Sequence, residues 1–287
     1  MELFVADAFT TRRFSGNQAG VALLGEADFP EEGFMRALAG ELKHSETAFV
    51  RRTGEGSFHI RYFTPAEEVD LCGHATIASF ALLRQEGLIA DGNHIAHTKA
   101  SDLNIGVSGG TVWMDMAPPK LIRKLTAEEW PELYDAYGLT VDHRPDGLEP
   151  WIVSTGLADI MMPVRDHETL LQAVQNEAAV TELSRRYDVT GVHMFCPGGE
   201  DCTAYCSNYA PLYDIPEECA TGTSNGALTY YLYLHGMVRP EEENLFVQGE
   251  HMHRPSQIRS RLYDDGGTVT VRIGGSAVMS MRCDIKL

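Results

Sequence analysis

The apolar positions of this chain follow two patterns, one typical of strands and one typical of helices. Short runs of continuous or alternating apolar residues predict β-strands. The predicted strands cover residues 3–9, 19–24, 48–50, 58–63, 112–116, 151–153, 160–164, 192–196, 203–206, 245–248, 268–273 and 277–281. Apolar residues at every third or fourth position predict helices. The predicted helices cover residues 31–43, the stretch that follows Gly73, residues 127–137 and 170–187, and the stretch that follows Gly222.

One stretch of the pattern occurs twice. A shift of 149 positions (222 minus 73) aligns Gly73 with Gly222 and Leu83 with Leu232 without a gap. Each copy combines a turn, the start of a helix and an apolar run, so we predict two related lobes with one helix N-terminus each. Helix N-termini carry unpaired N–H groups and a partial positive charge, which favour binding of a carboxylate or phosphate. A substrate between the lobes would therefore meet an anion-binding position on each side.

The order of elements favours an α+β fold over parallel β-α-β winding, because many short strands and few helices are arranged twice. No G-x-G-x-x-G follows a strand and no G-x-x-x-x-G-K-[ST] occurs, so the sequence predicts no nucleotide-binding fold. The Pro118-Pro119 pair predicts the boundary between the lobes. We expect an N-terminal lobe over 1–117, completed by the last strand at about 275–287, and a C-terminal lobe over 118–274.

Charge and cysteine content narrow the classes of partner. The net charge of −18 at pH 7 argues against nucleic acid and anionic membranes as partners. The N-terminus does not resemble a signal peptide, and no apolar run has the length of about 18 residues that spans a membrane, so we predict a cytoplasmic protein. Its six cysteines are then expected to be reduced. Cys196, Cys202 and Cys206 lack C-x-x-C spacing and are predicted to be apolar side chains rather than zinc ligands.

Three residues are candidates for proton transfer. Glu46 begins an apolar strand, where we expect a partly buried carboxyl group suited to acid/base chemistry, although a solvated glutamate would fit the same position. His74 follows Gly73 at a helix start, where the helix dipole favours a neutral imidazole. Glu218 precedes the second helix start and could relay protons, although acidic residues also favour helix starts on their own account.

Cys72 offers a different chemistry at the same helix start, since helix N-termini favour the thiolate form of cysteine. The shift of 149 positions aligns Cys72 with Thr221 rather than with a cysteine, and Cys219 lies two residues before Thr221. A symmetrical pair of thiols is therefore not implied. A buried, inert cysteine fits position 72 equally well.

Several segments together resemble the PhzF-like, phenazine biosynthesis-like protein family. They follow the family order over nearly the whole chain. The segments are Asp7–Thr10 with Phe14–Asn17, Ser45–Phe49, Arg61–Pro65 continuing through Glu68–Thr76, Ala220–Gly226, and Gln248–Glu250 with Arg254–Ser256.

The resemblance implies a fold and an activity. The fold is the diaminopimelate-epimerase-like α+β fold of two pseudo-symmetric lobes, each a curled sheet or barrel around a central helix, with the site between the lobes. The activity is that of an isomerase acting on a small carboxylated substrate without metal or organic cofactor, and the resemblance and chain size suggest a homodimer. Glu46 would move the proton, assisted by His74 and Glu218. The implied substrate-binding residues are Asn17, Ser45, Gly73, Gly222 and Thr223.

The chain departs from the family pattern at Gln18, where many members have proline, and at Glu218-Cys219, where many have Asp-Pro. Compared with the aspartate of many family members, the longer side chain of Glu218 moves the carboxyl oxygens by about 1.5 Å. A displacement of this size can change the reaction rate or the substrate that is accepted. A role in phenazine synthesis therefore does not follow. Two alternatives stay open: an epimerase, racemase or dehydratase in which Cys72 works with Thr221 or Cys219, and a non-catalytic protein that binds small acids. The stretch 254–261 could be a partner face or a solvated turn, and we favour the solvated turn.

Overall fold

The structure, a computed structural model, describes residues 1–285. The chain divides into two units. The first unit combines Met1–Asp115 with the chain from Gly274 onward, and the second is Met116–Ile273. Residues 286 and 287, which end the predicted closing segment of the N-terminal lobe, lie outside the described residues. No helix among residues 1–285 combines the length and the apolar character needed to cross a membrane.

Among its described residues, the first unit is a sheet with two helices. Its strands are β1 (Glu2–Ala8), β2 (Asn17–Gly25), β3 (Thr47–Gly54), β4 (Ser57–Phe63), β5 (Glu68–Val69), β6 (Gly92–His97), β7 (Asp102–Ser108), β8 (Thr111–Asp115) and, from the end of the chain, β18 (Ala277–Asp284). Its helices are α1 (Glu32–Leu42) and α2 (Gly73–Gln85). Strand β1 pairs with β2 and β18, β2 with β3 in parallel, β3 with β4, β4 with β6 in parallel, and β6 with β7.

Helix α2 lies inside this sheet. It packs against β1, β2, β3, β7, β8 and β18, and every residue from His74 to Leu83 is buried. A helix buried on all sides needs small or apolar residues all round, which its sequence provides. Its hydroxyl groups bond within the helix: Thr76 Oγ1 donates to the carbonyl of Cys72 at 2.7 Å, and Ser79 Oγ donates to that of Ala75 at 2.6 Å.

The second unit contains a sheet and four α-helices among its described residues. Its strands are β9 (Lys120–Lys124), β10 (Trp151–Ser154), β11 (Ala158–Pro163), β12 (Gly191–Pro197), β13 (Ala204–Ala210), β14 (Ile215–Glu218), β15 (Glu243–Gln248), β16 (Ser256–Asp265) and β17 (Thr268–Gly275), whose last two residues belong to the first unit. Its helices are α3 (Trp130–Asp135), α4 (His167–Gln172), α5 (Glu177–Tyr187) and α6 (Gly222–Leu234).

The second unit repeats the strand pairing of the first. Strand β10 pairs with β9 and β11, β11 with β12 in parallel, β12 with β13, β13 with β15 in parallel, and β15 with β16. The short strand β14 lies antiparallel to β13, as β5 does to β4. Helix α6 packs against β10, β11 and β16. Helices α2 and α6 both have 13 residues, and each follows an extended residue, Cys72 or Thr221. The predicted internal repeat and the predicted α+β class are confirmed.

Two local predictions were wrong. The helix predicted over 170–187 is two helices, because the side chain of Asn176 accepts a hydrogen bond from the N–H of Ala179 at 3.2 Å and starts α5 separately. The turn predicted over 254–261 lies largely in strand β16. Alternate residues of that strand are buried, and two of these buried residues are serines. The buried face of the strand is therefore not consistently apolar, and the apolar pattern did not predict it. The predicted helix 127–137 is limited to α3.

Candidate active site

Glu46 lies immediately before β3, at the edge of the parallel pair that β3 forms with β2. Its backbone carbonyl accepts a hydrogen bond from the N–H of Gly20 at 3.2 Å. A Cβ atom on Gly20 would lie 2.6 Å from Leu42 Cδ1 and 2.7 Å from Thr47 Oγ1. Glycine at position 20 therefore lets β2 approach the segment that carries Glu46.

His74, the second residue of α2, contacts the Glu46 side chain. Its Nε2 atom lies 3.4 Å from Glu46 Oε2 and 3.4 Å from Ser45 Oγ. Its Nδ1 atom lies 3.4 Å from Cys72 Sγ. The imidazole is almost fully buried, whereas the Glu46 side chain keeps 20% of its surface exposed. Of these two side chains, the carboxyl group is thus the one that a small molecule can reach more readily.

Burial keeps His74 neutral. It lowers the pKa of His74 below the ordinary value, against the opposing effects of the nearby Glu46 charge and of a hydrogen bond to the backbone of Gln18. The 3.4 Å contact between His74 and Glu46 therefore joins a carboxyl group to a neutral ring near pH 7, rather than forming an ion pair. A neutral imidazole provides one N–H donor and one acceptor nitrogen.

The start of α2 adds backbone donors beside this cluster. The hydrogen bond from the N–H of Thr76 to the carbonyl of Cys72, at 3.0 Å, is the first of the helix. The N–H groups of Gly73, His74 and Ala75 consequently have no acceptor within the helix. The first turn contains no acidic side chain, so the positive end of the helix dipole is not offset there. Gly73 leaves the backbone unshielded at the first helical position.

Asn17 occupies the first position of β2, after a turn that requires glycine. The backbone of Gly16 has a φ of +67°, and a Cβ atom there would lie 2.2 Å from the carbonyl oxygen of Ala8. Asn17 is buried and is followed by Gln18, whose backbone binds the His74 ring. The structure thus brings Ser45, Glu46 and His74 together and places Asn17 one residue from a contact of that group.

In the second unit, Glu218 ends β14 and its side chain accepts a hydrogen bond from the hydroxyl of Thr221. Gly222 begins α6, and the carbonyl of Thr223 accepts a hydrogen bond from Thr155 Oγ1 at 2.8 Å. The three predicted residues of this unit, Glu218, Gly222 and Thr223, therefore lie around one helix start.

Gln248 organises this helix start and was missed as a site residue. Its buried amide donates to the carbonyl of Glu218 at 2.7 Å and accepts from the N–H of Thr221 at 3.2 Å and from Asn225 Nδ2 at 2.7 Å. The sequence pointed to Gln248 only because this residue belongs to Gln248–Glu250, one of the segments that resemble the family. A polar residue at the end of a strand gives no other indication of such a role.

A buried carboxyl group also contacts α6. Ser224 Oγ donates to Asp159 Oδ2 at 2.6 Å, and Asp159 is 1% exposed. Burial raises the pKa of Asp159 to about 6, although the hydrogen bonds from Ser224 and the backbone of Gly191 oppose the shift. Nothing in the local sequence around Asp159 indicated this contact, because its partner lies 65 positions away.

Cys219 does not provide a thiolate at neutral pH. Burial raises the pKa of its thiol to about 11, and the charge of Glu218 adds to the shift while Arg254 opposes it. The hydroxyl of Thr221 already donates to Glu218. Cys72 itself contacts His74, and its work with Cys219 or Thr221 as an acid/base pair stays a prediction.

Glu46, Cys72 and His74 also form a set of metal-ligand types. One ligand atom from each lies within 4.8 Å of the other two, and among residues 1–285 this is the one group of three such side chains. The set combines a carboxyl oxygen, a thiol sulfur and an imidazole nitrogen.

The strand order and the central helices define an epimerase-like fold. The structure is similar to that of a hydroxyproline epimerase from Agrobacterium vitis, with a TM-score of 0.62 over 99% of this chain and 90% of that one. The two sequences are 14% identical, so this similarity shows the fold alone.

Closer similarities identify the family. The sequence model described as phenazine biosynthesis-like protein matches residues 6–283. A Deinococcus radiodurans protein named as an uncharacterized isomerase is 34% identical over 283 residues, which are 95% of this chain and 90% of that protein. The crystal structure of a Bacillus anthracis phenazine biosynthesis protein of the PhzF family has a TM-score of 0.89 and 25% identity, and covers 100% of this chain and 99% of that one. The chain belongs to the phenazine biosynthesis-like (PhzF) protein family, and the predictions of this family and of an isomerase are confirmed.

Proposed function

We propose that this isomerase moves a proton from one carbon to another on a small carboxylated substrate, with Glu46 as the acid/base group and without a metal or organic cofactor. The observation that carries the proposal is the 3.4 Å contact between the partly exposed carboxyl group of Glu46 and Nε2 of the buried, neutral His74. The donors at the start of α2 lie in the same segment as His74.

The reaction needs one group that both takes and returns the proton. Glu46 accepts the proton from a carbon next to an electron-withdrawing group, and the electron pair of the broken C–H bond moves into the substrate as an enolate-like system. The same carboxylic acid then returns the proton to a second carbon. Atoms and electrons balance without a co-reactant, because Glu46 returns one proton for each proton it takes, and in some turnovers that proton exchanges with solvent between the two steps.

His74 and the helix start complement Glu46. An imidazolium 3.4 Å from the carboxylate would oppose proton uptake by it, whereas the neutral ring of His74 does so less. Backbone N–H groups of Gly73 and His74 can bind the substrate carboxylate and offset the negative charge that develops when the C–H bond breaks. Ser45, 3.4 Å from Nε2, helps to orient the ring.

The remaining expectations from the sequence stay predictions. They are the proton relay by Glu218, substrate binding by Asn17, Gly222 and Thr223, a substrate site between the lobes, a homodimer and a cytoplasmic location. The identity of the carboxylated substrate also stays open, and the experiment below is designed to find it.

Deuterium uptake tests the proposal. The protein is incubated in D₂O with a panel of small amino, hydroxy and aromatic carboxylic acids, and each acid is analysed by mass spectrometry. We expect the wild type to introduce deuterium into at least one acid and Glu46→Gln to lose this exchange. Glu55→Gln is the matched control, because it makes the same change at an exposed glutamate in the β3–β4 connection. Full exchange by Glu46→Gln would refute the proposal.

A second candidate mechanism is favoured by one observation, the 3.4 Å distance between Cys72 Sγ and His74 Nδ1. A thiol beside a neutral imidazole can lose its proton to the ring and act as the base instead. The same panel separates the two mechanisms. Exchange that survives in Glu46→Gln and disappears in Cys72→Ala would assign the chemistry to the thiol.

A further inference from the structure

We propose that a cavity at the C-terminal end of helix α5 binds a free α-amino acid with an apolar side chain. The cavity has a volume of about 400 Å³, and all of its lining residues belong to the second unit. Glu46 and His74 belong to the first unit. The proposal therefore concerns a second binding site and does not depend on the reaction proposed for Glu46.

Three segments of the second unit form the walls of the cavity. They are the turn between β10 and β11, the end of α5 with the residues that follow it, and the 3₁₀ helix Pro211–Tyr213. The N–H of Thr190 donates to the carbonyl of Ala158 at 2.7 Å and joins the first two segments. The N–H of Val189 donates to the carbonyl of Ser184 at 3.0 Å and closes the helix end. The walls are thus held by backbone hydrogen bonds, and the volume lies within the range of about 300–1,000 Å³ that is typical of small-molecule sites.

One part of the lining is apolar and open to solvent. Leu157 is 53% exposed and Tyr213 is 60% exposed, and both line the cavity together with the half-buried Leu212 and the buried Val189. An apolar group that covers these side chains would remove apolar surface from water, which is favourable. This part of the lining therefore favours a ligand with an aliphatic or aromatic side chain.

The same cavity contains one cation and one anion that the protein leaves unpaired. Arg185 and Asp188 both line it, and within residues 1–285 neither side chain forms an ion pair or a hydrogen bond. Residues three positions apart are neighbours on a helix surface. A guanidinium group binds a carboxylate, and a carboxylate binds an ammonium group. An adjacent unpaired pair of this kind matches the zwitterionic end of an amino acid.

The position of Asp188 favours a bound cation in particular. Asp188 follows the last residue of α5 with a φ of +53°, at the end of the helix that carries a partial negative charge. Its carboxylate adds to that negative charge. Arg186, in the last turn of the helix, is already paired with Glu132 at 2.6 Å. An ammonium group bound at Asp188 would offset both the carboxylate and the helix end.

A buried hydroxyl group beside these charges also has no partner. Ser184 lines the cavity and is fully buried, and its Oγ atom has no hydrogen-bond partner in the part of the chain that the structure describes. Buried hydroxyl groups are usually paired. Rotation about χ1 moves a serine hydroxyl between staggered positions, so the polar end of a ligand can supply the missing partner.

Calorimetric titration of the full-length protein tests the proposal. L-leucine, L-methionine and L-phenylalanine are titrated separately, and we expect one equivalent of at least one of them to bind. Analogues of that amino acid without the amino group or without the carboxyl group, such as phenylpropanoate and phenylethylamine for phenylalanine, should bind about 10-fold more weakly or worse. Each analogue loses one charge-assisted hydrogen bond.

Two substitutions at exposed positions assign the binding to this cavity. Arg185→Gln and Asp188→Asn should each weaken the amino acid by about 10-fold or more, because each removes one of the two charges that bind it. Asparagine tolerates the positive φ of position 188 as aspartate does. Arg186→Gln is the matched control, since Arg186 is an exposed arginine of the same helix turn that does not line the cavity. It should bind the amino acid like the wild type.

Several results would overturn the proposal. They are no binding of any of the three amino acids at millimolar concentration, equal affinity for an analogue that lacks one charge, and unchanged affinity in both Arg185→Gln and Asp188→Asn. An equal loss in Arg186→Gln would also overturn it. Binding that these variants keep and Glu46→Gln loses would instead place the amino acid at the proposed reaction site. The analogue series on the wild type decides the question even where a variant fails to fold.

Discussion

The side chain of Gln248 binds Thr221 at two points. Its Oε1 atom accepts from the N–H of Thr221 at 3.2 Å, and its Nε2 atom donates to Thr221 Oγ1 at 3.1 Å. The same Nε2 atom donates to the carbonyl of Glu218 at 2.7 Å, so one amide fixes both ends of the short segment between β14 and α6. The Thr221 hydroxyl, positioned in this way, donates to the Glu218 carboxyl group.

We therefore expect Gln248→Leu to destabilise the protein by about 2–4 kcal/mol. The leucine would remove a hydrogen-bond partner from the partly buried N–H of Thr221 and carbonyl of Glu218 and from the buried Asn225 amide, and an unpaired buried polar group costs about 1–3 kcal/mol. The free energy of unfolding in urea measures the loss. Gln257→Leu, which changes an exposed glutamine on β16, is the control and should stay within about 0.5 kcal/mol of the wild type. Equal stability of the two variants would contradict the role given to Gln248.

A single acid/base group predicts partial retention of the substrate proton. Once an exchanging acid is known, its donor carbon is labelled with deuterium and the reaction is run in ordinary water. Glu46 keeps the deuteron while the substrate rearranges, so some product molecules should carry it at the acceptor carbon. Mass spectrometry of product from single-turnover reactions measures the fraction. Complete loss of the label at all times would indicate that donor and acceptor carbons are served by different groups.

Replacement of Gly16 should damage the turn before Asn17. Gly16→Ala forces alanine to a φ of +67° and brings its Cβ to 2.2 Å from the carbonyl oxygen of Ala8, so we expect a loss of about 3 kcal/mol or more in the free energy of unfolding. Gly40→Ala is the control, since its Cβ would make only an ordinary contact inside α1, 4.0 Å from Pro65. That change should stabilise the protein by up to about 1 kcal/mol. A tolerated alanine at position 16 would show that the turn can rearrange.

The buried carboxyl group of Asp159 predicts a specific pH dependence of stability. Its pKa is about 6 in the folded protein and 3.8 as the ordinary value. Between these values the folded state binds more protons than the unfolded state, so the contribution of Asp159 is fully present below about pH 4 and is lost as the pH rises through 6. Relative to Asp159→Asn, the wild type should lose about 3 kcal/mol across this window.

Urea unfolding of the wild type and Asp159→Asn at a series of pH values measures this difference. The asparagine oxygen can still accept the hydrogen bond from Ser224, so the comparison isolates the charge. A difference between the two proteins that does not vary from pH 4 to pH 7 would show that Asp159 titrates normally in the folded protein.

The repeated pattern in the sequence predicted the main features of the fold. Glycines 149 positions apart begin two helices of equal length. Each copy combines an extended residue, a glycine at the first helical position and a run of small or apolar residues that suits a buried helix. The α+β class and the family followed from local patterns of this kind. Glu46 and His74 were singled out because each occupies a recognisable local position, a strand start and a helix start.

What the sequence did not reveal depends on partners far apart in the chain. Gln248 and Thr221 are 27 positions apart, and Asp159 and Ser224 are 65 apart, so only the strand register and the placement of α6 decide that these side chains meet. Strand β16 escaped detection for a related reason, because its inward serines satisfy their hydroxyl groups by tertiary contacts such as that between Ser260 and Thr229, at 2.7 Å.

Local periodicity and helix-start chemistry thus determined the elements and the candidate acid/base residues. The tertiary structure decided which polar groups are buried together, and thereby the neutral state of His74, the raised pKa of Asp159 and the meeting of Cys72, His74 and Glu46. The physical reason is that desolvation and hydrogen bonding depend on all the chain segments around a group, whereas a sequence pattern reports only its neighbours along the chain.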